Sequence, residues 1–199
     1  MPHLFAAVEG LIDAAIARRL ARFVGFDQCT VYETGGKPRL DERLSSYDAA
    51  ARHGAWLVIR DLDHDAECAA DLISAKLPRV SPTMCFRVAV RAVEAWVMAD
   101  SDEFARVFGV ALNSLPARPD EVPDPKLAVV NLARRSRFKL VREDLVPANG
   151  LSARVGPLYN ARMVEFVQMR WRPERAASRS ESLGRCLRAL RRLSRDTRG

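Results

Sequence analysis

WLVIRDLDHD, residues 56–65, sets four apolar residues directly before three acids at alternate positions, Asp61, Asp63 and Asp65. Trp56, Leu57, Val58 and Ile59 are too few for a helix and read as a strand buried on both faces. A helical pattern, AECAADLISAKL, is expected from Ala66 onward. Acids at the carboxyl end of a buried strand fall where open α/β sheets form their ligand crevice. If the strand's alternation continues, Asp61 and Asp63 point the same way and address one cation. Carboxylate oxygens suit magnesium or manganese. The plainer reading is that Asp63 or Asp65 caps the following helix. One cap would explain one Asp, not three.

Outward from that strand, the order repeats. HLFAAV (residues 3–8) is a short buried strand closed by Glu9-Gly10, and LIDAAIARRLARFVG carries apolar residues at helical spacing as far as Gly25. FDQCTVYE is a second strand ended by Gly35-Gly36. A polar helix over residues 40–52 precedes the organising strand, and MCFRVAVR (residues 84–91) is a fourth. Strand and helix alternating in this way predict an α/β fold, a mostly parallel sheet flanked by helices. After Arg91 the pattern is helical only. DPKLAVVNLARRS has Asp124 at the N-cap and Pro125 at the first helical position. We therefore expect an α/β core over residues 1–100 and a C-terminal helical extension, residues 101–199, packed on it.

With 199 residues, the chain can bury a full core. Hydrophobic residues at 48% and charged residues at 29% fit a soluble globular protein. No apolar run approaches a membrane span and the N-terminus lacks a signal-peptide layout, so no membrane partner and a cytoplasmic location are expected. The four cysteines lack zinc-type spacing and are expected as buried thiols. Residues 151–199 hold twelve Arg and four acids, a net +8 within a chain total of +7. The last helix places Arg185, Arg188 and Arg192 opposite its Leu face. These three, with Lys126, are candidate nucleic-acid-binding residues, although solvated Arg faces are also the ordinary habit of so Arg-rich a chain.

Two further acids belong with the Asp cluster. Glu9 ends the first strand and Glu94 follows the fourth, so parallel strands would bring both to the rim that holds Asp61. Like charges gathered on one rim are destabilising unless a cation neutralises them. His64 is expected as a solvent-facing loop residue, Trp96 as core of the Glu94 helix. Trp171, between Arg170 and Arg172, is the one aromatic placed to stack on a base; surface packing is the plainer expectation.

These residues carry a resemblance. Glu9-Gly10 after a first strand, with Asp61-x-Asp63-x-Asp65 after a later one, resembles the Toprim signature of topoisomerases, primases and OLD-type nucleases. VEGLID (residues 8–13) is similar to the OLD-type form, with Asp13 three residues beyond the Gly. AVEAWVMAD (92–100), DPK (124–126) and GPLYN (156–160) resemble a small Toprim-like family often encoded beside an AAA-type ATPase in suspected anti-phage defence islands. The resemblance implies a Rossmann-like sheet and a magnesium- or manganese-dependent nuclease acting on DNA or RNA. It implies Glu9 as general acid/base or ligand and Asp61 and Asp63 as metal ligands, with Asp65, Asp13 and Glu94 available for a second cation. The sequence departs from the pattern in its apolar Leu11 and Ile12. It also shows no nucleophilic Tyr near the acids, which argues against topoisomerase chemistry. Lys126, Arg60, Arg87 and Arg91 are the candidates for a cation facing the transition state. The rival expectation is a catalytically silent module that binds nucleic acid or the ATPase as a scaffold. No Gly-rich phosphate loop supports small-molecule phosphotransfer.

Overall fold

The structure, a computed structural model, describes residues 2–150 and 152–197. Four strands, β1 (His3–Val8), β2 (Gln28–Glu33), β3 (Ala55–Asp61) and β4 (Met84–Ala89), form one all-parallel sheet in the order β2-β1-β3-β4. Leu4 pairs with Ala55 and Asp61 with Ala89, so all four strands end on the same rim.

The apolar run of β3 is buried on both faces because its alternate side chains enter two different cores. Leu57 and Ile59 join Leu4, Ala6 and Val8 against α1 (Leu11–Val24) and the later helices. Trp56 and Val58 join Ala7 and Phe86 against α2 (Lys37–Glu42), α3 (Leu44–Ala50) and α4 (Ala69–Lys76). The result is helix, sheet, helix in three layers, with β1 and β3 in the middle of the sheet.

The expected polar helix over residues 40–52 is two helices, broken at Arg43, whose φ of −102° and ψ of 0° reset the axis. The break lets Leu40, Leu44 and Tyr47 all face the sheet. The helix after the Asp cluster starts at Ala69 rather than Ala66, and its N-cap is Cys68, whose Sγ accepts the Asp71 N–H. Neither Asp63 nor Asp65 caps it.

The second half contributes α5 (Val93–Ala99), α6 (Ser101–Phe108), α7 (Pro125–Arg134), α8 (Lys139–Leu145), α9 (Tyr159–Met169), α10 (Pro173–Ala177) and α11 (Glu181–Asp196). Asp124 caps α7 by accepting the Leu127 N–H, with Pro125 in the first turn. Helices α8 and α10 have no counterpart in the sequence reading. At seven and five residues they are shorter than the window in which periodicity is visible. One apolar core runs from Leu4 and Ile16 through Trp96 and Phe166 to Leu190, so both halves of the chain share it.

Two expectations are corrected. Trp171 is fully buried, its indole N–H donating to the Trp96 carbonyl, and it can neither stack on a base nor lie at the surface. Of the thiols, Cys85 and Cys186 are buried, Cys29 is partly buried and Cys68 is exposed. His64 is exposed and Trp96 is buried. Among the described residues no helix is long and apolar enough to cross a membrane.

Candidate functional site

At the rim where the strands end, Glu9, Asp61, Asp63 and Lys126 share a cavity of about 460 Å³. Each acid is placed by the element it terminates. Glu9 follows β1, and its Oε1 accepts the Asp61 backbone N–H at 2.9 Å. Asp61 is the last residue of β3, and its Oδ1 accepts the Val93 N–H at 2.9 Å, which ties the end of β3 to the start of α5. Glu94 lies in the first turn of α5 at 2% exposure, and Asp13 in the first turn of α1 at 7%.

The electrostatics of these carboxyls are those of crowded, dehydrated anions. Burial, then Glu94 and Glu9, push the Asp13 carboxyl from 3.8 up to about 8. Burial, then Asp13, Glu94, Glu9 and Asp63, raise Asp61 well above the usual range. Burial also raises Glu9, against the Asp61 N–H and the nearby Lys37 and Arg60. Asp13 Oδ1 is buried without a hydrogen-bond partner. Such an atom signals a missing ligand or proton.

Asp63 and Asp65 behave differently. The strand ends at Asp61, and Asp63 adopts φ +45°, a left-handed conformation. The alternation expected from the sequence therefore stops before Asp63. Its carboxylate is paired with Lys37 instead, although it still lines the cavity. Asp65 receives Lys37 at 2.9 Å and Arg60 at 2.7 Å. Burial works to raise the Asp65 carboxyl, but these two hydrogen bonds outweigh it and the net shift is downward.

Lys37 is a site residue the sequence reading did not single out. Gly35 and Gly36, at φ +75° and +123°, fold over the end of β1 and donate both N–H groups to the Glu9 carbonyl. That turn starts α2 above the acids and delivers Lys37 to Asp63. The signal was available as a Lys directly after a Gly-Gly strand end on the same rim.

Tyr159 is the second unforeseen residue. GPLYN closes onto the site: Gly156 N–H donates to the Leu145 carbonyl, and the Tyr159 hydroxyl reaches Glu94 Oε1 at 3.3 Å. A tyrosine is therefore beside the acids. It is 1% exposed, and burial followed by Glu94 raises its hydroxyl well above the ordinary value, so it is a poor nucleophile. Lys126 Nζ stands 3.7 Å from Glu94 Oε1. Its ammonium is held more tightly by Glu94 first, then by Asp61 and Asp13, against burial. Arg154 and Asp124 also line the cavity and pair at 2.6 Å.

The remaining candidates separate. Arg60 is spent on Asp41, Asp65 and the Asp61 carbonyl. Arg91 donates to the Asp63 carbonyl rather than to a carboxylate. Arg87 lies away from this cavity and lines a different one, with Asp120 and Arg185. Arg185, Arg188 and Arg192 are exposed on α11, with Arg185 paired to Glu181 in its own first turn.

Donor chemistry and geometry give distinct answers on a metal. Hard carboxylate oxygens, mutual repulsion and an unpartnered buried oxygen on Asp13 fit a divalent cation of the magnesium kind. As the side chains stand, no three His, Cys, Asp or Glu among the described residues are gathered to hold one. Asp63 and Asp65 would first have to exchange Lys37 and Arg60 for it.

Fold and site together define an α/β protein with an acid-lined crevice at the carboxyl ends of parallel strands, where sheets of this class hold their ligands. No family profile, curated protein or solved structure matches the chain.

Proposed function

We propose that the chain is a magnesium- or manganese-dependent phosphodiesterase acting on nucleic acid. The observation that carries this reading is the buried pair Asp13 and Glu94 beside the half-buried Asp61 and Glu9, four carboxyls whose mutual repulsion a cation would relieve. Asp61, with Asp13 or Glu94, would hold it, and Asp63 would join once released by Lys37. A bound divalent ion would supply an acidified water and charge stabilisation at the departing oxygen. The protein's own residues do the rest. Lys126 and Arg154 at the mouth bind and orient the phosphate, and Lys37 is free to do so when it leaves Asp63. Glu9, raised by burial, takes the proton as water adds to phosphorus and the ester bond to the leaving oxygen breaks. The exposed Arg face of α11 offers contacts to the nucleic-acid backbone. Licensing by a partner ATPase is part of the proposal that rests on the family resemblance alone.

A second reading has its own observation. Lys37 and Arg60 already neutralise Asp63 and Asp65, as expected of a silent module whose internal cations replace a metal. One experiment separates the two: cleavage of single- and double-stranded DNA and RNA with saturating manganese, comparing wild type with Asp61→Ala/Asp63→Ala of unchanged melting behaviour. Cleavage by wild type alone supports the phosphodiesterase. Equal cleavage by both means a contaminant, and no cleavage on any substrate favours the silent module.

A further inference from the structure

We infer that a groove on the helical half of the molecule docks an acidic amphipathic helix of another protein. The groove, about 690 Å³, lies where the end of α6, the first turn of α8 and the second half of α9 meet. Phe108 and Phe166 form its buried floor, and Leu140, Met169 and Phe138 its walls. Leu140 is 63% and Met169 73% exposed, so two large apolar side chains stand in water on one concave surface. Grooves of this kind take the apolar stripe of a helix, with anchors at i, i+3 or i+4, and i+7.

Charge decides which helix. The lining carries five cations, Arg106, Arg137, Lys139, Arg162 and Arg170, against one anion, Glu165. Four of the cations are engaged: Glu103 holds Arg106 and Arg170, Asp144 and Glu165 hold Arg162, and Glu143 stands near Lys139. The cationic side chains themselves stay open to solvent, at 37–79% exposure, so incoming carboxylates can share them. Arg137 lies 4.9 Å over the Phe138 ring and has no carboxylate partner among the described residues. A helix with apolar residues on one face and Glu or Asp beside them satisfies both floor and rim. A phosphate backbone would use the rim and gain nothing from the floor. A second copy joined groove to groove would bring like charges together. The groove shares no lining residue with the acidic cavity, so it serves a partner rather than the substrate.

The test uses the full chain and a fluorescein-labelled stapled helical peptide, with Leu at i, i+3 and i+7 and Glu on the remaining surface. A matched peptide with Lys for every Glu is the control. Fluorescence anisotropy should show saturable binding of the Glu peptide, weakening with salt, and none of the Lys peptide. Met169→Glu, Leu140→Glu and Arg137→Glu, all at exposed positions and checked by thermal melting, should each weaken binding tenfold or more. Three results would overturn the inference: no saturable binding of the Glu peptide, equal binding of both peptides, or binding untouched by Met169→Glu. So would a dimer in sedimentation that Met169→Glu dissociates, since the groove would then be a self-interface.

Discussion

Replacing Asp13 by Asn tests the electrostatic core of the site directly, because the substitution keeps the shape and removes the charge. In the native state the Asp13 carboxyl titrates at about 8, against 3.8 as its ordinary value. A native pKa above the unfolded one means that the folded protein binds more protons than the unfolded chain between those two values. Stability must then fall as pH rises from about 4 to about 8 and level off above that. At about 1.4 kcal/mol per pH unit, the ceiling on the loss is about 6 kcal/mol. Asp61 and Glu9 are raised as well, so protons are shared across the cluster and the variant removes one proton's worth of the dependence, not all of it. We expect Asp13→Asn to be more stable than wild type by about 2–4 kcal/mol at pH 8, with the difference closing toward pH 4.

The assay is urea denaturation followed by circular dichroism from pH 5 to pH 9, first with chelator and then with magnesium. With chelator, wild type should lose stability with rising pH and the variant should lose less. With magnesium, wild type should recover most at high pH, where the carboxyls are already ionised and the cation need not displace protons. If wild type and variant show the same slope with pH, Asp13 is not a raised group and the case for a cation loses its main support. If the slopes differ but magnesium restores nothing, the acids are crowded for some purpose other than holding that ion.

Lys37→Met removes the ammonium that pairs with Asp63 and Asp65; if Asp63 is a ligand in waiting, the magnesium concentration for half-maximal thermal stabilisation should fall several-fold, and an increase would mean that Lys37 helps to assemble the site. Glu94→Gln keeps the contact with the Tyr159 hydroxyl while removing one buried charge. Manganese-dependent cleavage should drop by about 10²-fold without loss of melting temperature, and an undiminished rate would take Glu94 out of the chemistry. Replacing Arg185, Arg188 and Arg192 together by Gln should flatten the salt dependence of nucleic-acid binding by about one logarithmic step per lost phosphate contact. An unchanged slope in filter binding would mean that the α11 face is only solvated.

The sheet was legible because β3 is buried twice over. A run with no polar residue from Ala55 to Ile59 can be satisfied only between two layers, and its neighbours alternate with helices of ordinary length. Parallel strands then oblige Glu9 and Asp61 to share a rim, which is a topological consequence and needs no side-chain detail. What failed to carry over was anything set by a single residue's backbone. The alternation that would aim Asp63 with Asp61 stops with the strand, and two residues on a left-handed φ turns Asp63 toward Lys37. Arg43 likewise divided one polar helix into two. Tyr159 was missed for a different reason: it comes from α9, an element that meets the rim only after the three layers have packed, and Lys37, although it follows a Gly-Gly strand end, is aimed at Asp63 only by the packing of α2. A strand end can announce an acid, but the cations and hydroxyls that answer it arrive from elsewhere in the chain. The charge balance of the crevice is therefore a tertiary property: Lys126 beside Glu94 and Lys37 beside Asp63 set how much anion is left for a metal, and packing fixes both pairs.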